Sequence, residues 1–160
     1  MAFILSGNRK TAAMTASAFS RYRAYLDSVA SRFPPSALNI ATSNWYFSNS
    51  PKSPHDCWLE SVELKEEGCG VRLEQRRVSI QIRLLASYHD GFIEFSYPRV
   101  FSYKLSVSNP NRAISVVGNG DWLFDEFRLS ESDRLIHEIE WERALWRIES
   151  DDVHYRWIPK

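Results

Sequence analysis

A chain of 160 residues, 44% hydrophobic and 25% charged, has the length of one domain and enough apolar material for a real core. Its 20 Lys and Arg balance 20 Asp and Glu, which excludes the global basic field that dominates nucleic-acid affinity. Two cysteines exclude a disulfide framework, and no apolar run approaches the length of a membrane span.

The first element in chain order is a helix over residues 11–33. Phe19, Tyr22, Leu26, Val29 and Phe33 recur at three- and four-residue spacing and form one apolar stripe, with Arg21, Arg23, Asp27 and Arg32 off it. Pro34-Pro35 stops this helix. Asn39–Phe47, rich in Ile, Trp, Tyr and Phe, reads as a strand, and Ser48–Pro54 as a loop. Met1–Leu5 is too short for a signal-peptide core, so a cytoplasmic location is expected.

Strands follow. Trp58–Lys65 is one, with Trp58 and Leu59 beginning the core, and Glu66–Gly70 is a turn. Val78, Ile80, Ile82 and Leu84 alternate with polar residues, while Val71 and Leu73 have the opposite parity, which predicts a bulge near Gln75–Arg77. His89-Asp90-Gly91 is a hairpin turn in which Asp-Gly supplies positive φ. Phe92–Tyr97 is broken by Pro98, and Phe101–Val107 alternates again. A turn at Asn109-Pro110-Asn111 and a short strand at Ala113–Val117 lead to strands at Trp122–Leu129, Leu135–Trp141, Leu145–Glu149 and Val153–Trp157. The short connections predict antiparallel neighbours. The expected architecture is a single α+β domain over 1–160: an N-terminal amphipathic helix packed on a largely antiparallel sheet of about seven to nine strands, with 39–158 mostly β.

The ionisable residues are the candidates for catalytic chemistry. Each of the four histidines has an acidic near neighbour: His55 with Asp56, His89 with Asp90, His137 with Glu138, and His154 with Asp151 and Asp152. These pairs fall at strand starts and turns and lack the ligand spacing of zinc motifs, so no metal or cofactor is expected. Asp125 and Glu126 point to opposite faces of a strand and cannot act as a carboxylate pair. Glu138 and Glu140 share a face that reads as solvent-facing. No Gly-x-Ser-x-Gly elbow is present, and Gly118-x-Gly120 leads into a strand rather than a phosphate-binding helix. Arg72, Arg76, Arg77 and Arg83 form no nucleic-acid signature. Cys57 and Cys69 flank the first strand, and a bridge between them stays open.

The motifs taken in order carry a resemblance. His55-Asp56-x-Trp58-Leu59 opens a strand; Phe92–Val100 is an aromatic strand; Gly120-Asp121-Trp122-Leu123-Phe124-Asp125-Glu126-Phe127 carries an acidic pair; Leu135–Trp141 precedes Trp146-x-Ile148-x-x-x-Asp152-Val153-x-Tyr155. Over roughly residues 39–158 this order is similar to small bacterial immunity-type and uncharacterised domains associated with polymorphic or secreted toxins. The resemblance implies a non-enzymatic protein that binds a cognate toxin and blocks it.

Charge adds an expectation about the partner. Residues 1–54 carry 6 − 1 = +5, and residues 120–160 carry 6 − 11 = −5. An acidic, Trp-bearing C-terminal third suits a basic toxin. Asp121, Trp122, Asp125, Glu126, Glu138 and Glu140 are therefore the expected partner-binding residues. Two other readings remain: a metal- or His/Asp-dependent hydrolase using His55 and Asp56, and a subunit-like domain docking through an exposed stripe at Phe19, Tyr22 and Leu26.

Overall fold

The computed structural model describes residues 2–5, 9–107 and 118–160. Two helices, α1 (Ala12–Val29) and α2 (Pro35–Thr42), precede seven strands: β1 (Trp58–Cys69), β2 (Gln75–Leu85), β3 (Gly91–Val107), β4 (Trp122–Leu129), β5 (Leu135–Trp141), β6 (Ala144–Ser150) and β7 (His154–Pro159). All pair antiparallel in one sheet of order β1-β2-β3-β6-β5-β4, with β7 also on β3. The expected α+β class and antiparallel sheet hold, at the lower end of the expected strand number. The expected turn at 109–111 and strand at 113–117 lie outside the described residues.

Helix α1 opens on Thr11, whose hydroxyl accepts from the Met14 N–H at 3.2 Å. Its apolar stripe is buried: Tyr22, Leu26, Val29 and Phe33 join one core with Ile80, Ile82, Leu84, Phe95, Phe127 and Ile148. Phe19 is half-buried, edge-on to Phe47 with ring centres 5.1 Å apart.

The strand expected at 39–47 is instead helix and turn. α1 stops at Val29, short of the expected 33 and of the two prolines, and Pro35 begins α2, because a proline in the first turn forfeits only an N–H that has no helical partner. Asp152, between β6 and β7, accepts from the Ser36 and Ala37 N–H groups at 3.3 and 3.0 Å and completes the cap. Ala37, Ile40 and Ala41 then bury at helical spacing.

β1 runs through the expected turn at 66–70 to Cys69, and residues 70–74 make the reversal instead. The expected bulge near 75–77 is absent from that pairing; the register shifts lie at Leu59/Ser61 and Val78/Ile80. In the His89-Asp90-Gly91 turn the positive φ, 57°, falls on His89. Gly91 serves another purpose: a Cβ there would lie 2.6 Å from the Trp157 ring.

Pro98 does not break the sheet. β3 is one strand of 17 residues, and its neighbours avoid the proline. β2 shifts register between Tyr97 and Val100, β7 stops at Ser96, and β6 starts at Val100. The missing N–H therefore interrupts no ladder.

The two outermost strands meet at one end. The Asp56 N–H donates to the Trp122 carbonyl at 2.9 Å, and the Trp122 N–H to the Cys57 carbonyl at 3.1 Å. The segment leading into β1 thus meets the start of β4.

Candidate functional site

A buried polar cluster ties four segments together beneath the helices. On β4, Asp125 Oδ2 accepts from the Tyr46 hydroxyl at 2.6 Å and pairs with His137 Nε2 of β5 at 2.9 Å. Asp125 Oδ1 accepts from Trp122 Nε1 at 3.1 Å. His137 Nδ1 lies 2.6 Å from the Tyr97 hydroxyl of β3. Asp125 is 2% exposed and His137 not at all.

Register explains the meeting. His137 faces Phe127 across the β4–β5 ladder, and Asp125 is one same-face position further along. Burial, reinforced by the Asp125 charge, holds the Tyr46 and Tyr97 phenols well above their ordinary range, so both keep their protons. Among the described residues, His137 Nδ1 is the acceptor for the Tyr97 proton. Tyr46, Trp122 and His137 thus converge on one carboxyl group.

Both ring nitrogens of His137 are engaged and none of its atoms reaches solvent. His137 itself therefore presents no free ring nitrogen to a substrate. It acts as a tie between β3, β4, β5 and the turn after α2.

The expected partner-binding residues divide sharply. Trp122, Asp125 and Glu126 are buried, at 1%, 2% and 0% exposure, which corrects their assignment to a surface. The Glu126 carboxylate accepts from the backbone N–H groups of Phe3, Ile4 and Leu5, the shortest 2.6 Å from Ile4. Asp121 is half-buried and accepts from Trp58 Nε1 at 2.7 Å. Trp58 is itself 51% exposed and so lies at the surface rather than in the core. Glu138 pairs with Arg128 at 2.5 Å, and Glu140 with Arg9 at 2.6 Å. Sequence counting assigned an acidic excess to residues 120–160. Folding brings Arg9 from the N-terminal segment onto that face and sets Arg128 and Arg147 within it, so carboxylates and guanidiniums alternate.

His55 and Asp56 are exposed and paired with each other, Nδ1 to Oδ1 at 3.0 Å. Asp56 has φ of 60° and belongs to the closure with Trp122. Among the described residues no group of three or more His, Cys, Asp or Glu side chains is placed to hold a metal ion. The stripe of Phe19, Tyr22 and Leu26 faces the chain's own sheet, so the exposed surface needed for docking through α1 is not formed. Cys57 and Cys69 are free thiols at opposite ends of β1, about 40 Å apart at the usual strand rise, far beyond disulfide reach.

The tie between Asp125 and His137 was missed because His137 was read with its sequence neighbour Glu138. A period-two reading contains the signal: Leu135, His137, Ile139 and Trp141 share one parity, which places the imidazole on the apolar face.

The two edges of the sheet are treated differently. Along β4, the Tyr22 hydroxyl bonds the Phe127 N–H and C=O, and the Tyr25 hydroxyl accepts from the Leu129 N–H at 2.8 Å. Side chains of α1 thus stand where another strand would be. On β1, Trp58 Nε1 bonds Asp121 and the Arg76 guanidinium caps the Glu66 carbonyl at 2.7 Å. Eleven of its 12 residues pair with β2, and none is fully buried. Val62 and Leu64 lie on its core-side face, opposite Ile82 and Ile80, and Leu64 is 40% exposed.

Comparison with known proteins brings no match to a family model, to a curated protein or to a solved structure. No helix among the described residues is long and apolar enough to cross a membrane.

Proposed function

We propose that this chain is a non-enzymatic protein-binding module of the toxin-neutralising, immunity kind, which engages its partner by strand addition at β1. The open β1 edge carries the reading. A row of unpaired backbone N–H and C=O groups is a template for another strand, and proteins that do not use such an edge usually blunt it. Among the described residues, tyrosine hydroxyls hold the β4 edge at Phe127 and Leu129, and a side chain caps the β1 edge at the Glu66 carbonyl.

An added strand covers Val62 and Leu64 on one face and meets Glu63, Lys65 and Glu67 on the other. β1 carries Glu60, Glu63, Glu66 and Glu67 against Lys65, or 1 − 4 = −3, which favours a basic strand over a second copy of the same edge. The motif order shared with immunity-type domains supports a toxin as the partner. The closed hydrogen bonding around Asp125 supports a non-enzymatic role.

The test is binding to the product of the adjacent gene, measured for the native chain and for Leu64→Lys. Leu64 is exposed, so the variant keeps its fold, and at least a tenfold loss of affinity is expected. Unchanged affinity in Leu64→Lys, or no binding by the native chain at tens of micromolar, overturns the proposal.

A further inference from the structure

A cleft of about 220 Å³ opens where the turn after α2 faces the start of β4. Its walls are aromatic: Phe19, Tyr46, Phe47, Trp122 and Phe124. Asp125 also lines it, and two of the donors that hold the Asp125 carboxylate, Tyr46 and Trp122, are themselves wall residues. The carboxylate therefore lies one side chain behind the wall. Apolar rings between it and the cleft screen a charge there poorly.

Among the described residues no Lys or Arg lines the cleft. At its rim stands His55, paired with the exposed carboxylate of Asp56. A cation is favoured where it meets an aromatic face, and the Asp125 and Asp56 carboxyl groups stand beside these rings. One wall ring already holds a cation: the Arg9 guanidinium carbon sits 4.3 Å from the centre of Phe124. The volume is below the ~300 Å³ at which ligand pockets usually begin, which fits one side-chain head rather than a whole metabolite.

We propose that this cleft receives a single cationic side-chain head, a guanidinium or ammonium, presented by the protein partner. The owner of that side chain rests on the binding-module reading; the cleft's preference for a cation does not. His55 stands three positions before the start of β1, so the cleft lies at the first end of that strand.

Butylguanidinium and its neutral isostere butylurea are titrated into the full chain, following the NMR signals of the Trp122 indole N–H and the His55 ring. Butylguanidinium is expected to shift both with millimolar affinity, and butylurea to bind about tenfold more weakly. A second measurement uses Asn49→Lys, an exposed wall position where an added ammonium competes for the cleft. It is expected to weaken butylguanidinium at least tenfold with an unchanged melting temperature. Equal response to the two compounds, no shift up to about 50 mM, or an unaltered response in Asn49→Lys overturns the proposal. These outcomes are independent of Leu64→Lys, so failure of the cleft and failure of the β1 edge are told apart.

Discussion

The hydroxyl of Tyr22 accepts from the Phe127 N–H at 2.7 Å and donates to the Phe127 carbonyl at 2.9 Å, so one side chain on α1 replaces a residue of a neighbouring strand. Both partners are buried, and burial holds the Tyr22 phenol well above its usual range. Tyr22→Phe leaves a buried N–H and C=O unpaired. A loss of about 2–4 kcal/mol is expected in urea unfolding, because each orphaned group costs roughly 1–3 kcal/mol. A loss below about 0.5 kcal/mol shows that water replaces the hydroxyl.

Glu126 is an acceptor for three consecutive N–H groups near the N-terminus. Glu126→Gln retains one acceptor oxygen and loses the charge. The amides of Phe3, Ile4 and Leu5 are expected to exchange with solvent at least tenfold faster, with a smaller change in β5. Equal protection in both proteins removes the carboxylate as the anchor.

Asp125→Asn keeps shape but turns one acceptor into a donor. The Tyr46 hydroxyl and His137 Nε2–H both point at Oδ2, so either orientation of the amide leaves an N–H or O–H opposed. A destabilisation of about 3 kcal/mol or more is expected by thermal or chemical unfolding.

Alkaline pH tests the three buried phenols together. Tyr22, Tyr46 and Tyr97 all have folded-state values raised above the ordinary tyrosine value, chiefly by burial. Their contribution is complete below about pH 10, where the unfolded phenols ionise, and is lost as pH rises from there toward the folded-state values. With three groups the slope is about −4 kcal/mol per pH unit in that window. Stability that stays flat from about pH 9 to 11 contradicts their protonated, buried state.

The thiols should differ in reactivity. Burial pushes the Cys57 thiol up to about 12, and a Sγ–H to the Ser53 carbonyl holds it at 3.4 Å. Cys69 is half-buried at the far end of β1. One thiol is expected to react with an aromatic disulfide reagent in the native chain and two after unfolding. Rapid reaction of both in the native chain places Cys57 outside the core.

Alternation made most strands legible. β4 and β5 fall on the expected bounds because apolar parity and short turns both mark them. Asn39–Phe47 was misread because Ile40, Trp45, Tyr46 and Phe47 have strand-like composition, while the device that makes 35–42 a helix is Asp152, more than a hundred residues away. The same limit applies to the site. Charge counted along the chain cannot see Arg9 cross to Glu140, and strand parity alone cannot seat Tyr46 against Asp125. Burial of Glu126 follows from a partner segment, residues 3–5, that carries no polar side-chain signal.

The bridge between Asp56 and Trp122 has a consequence in time. It joins residues separated by more than sixty positions, and Trp58 with Asp121 reinforces it across a separation of 63. Closing so long a loop offers little return until the intervening hairpins have formed, so the junction is expected late in folding and early in unfolding. Kinetically, the chain resembles a bracelet whose fastening is made after the links are in place. Mutations at Asp121 should then quicken unfolding more than they slow folding, a ratio that stopped-flow rates measure directly.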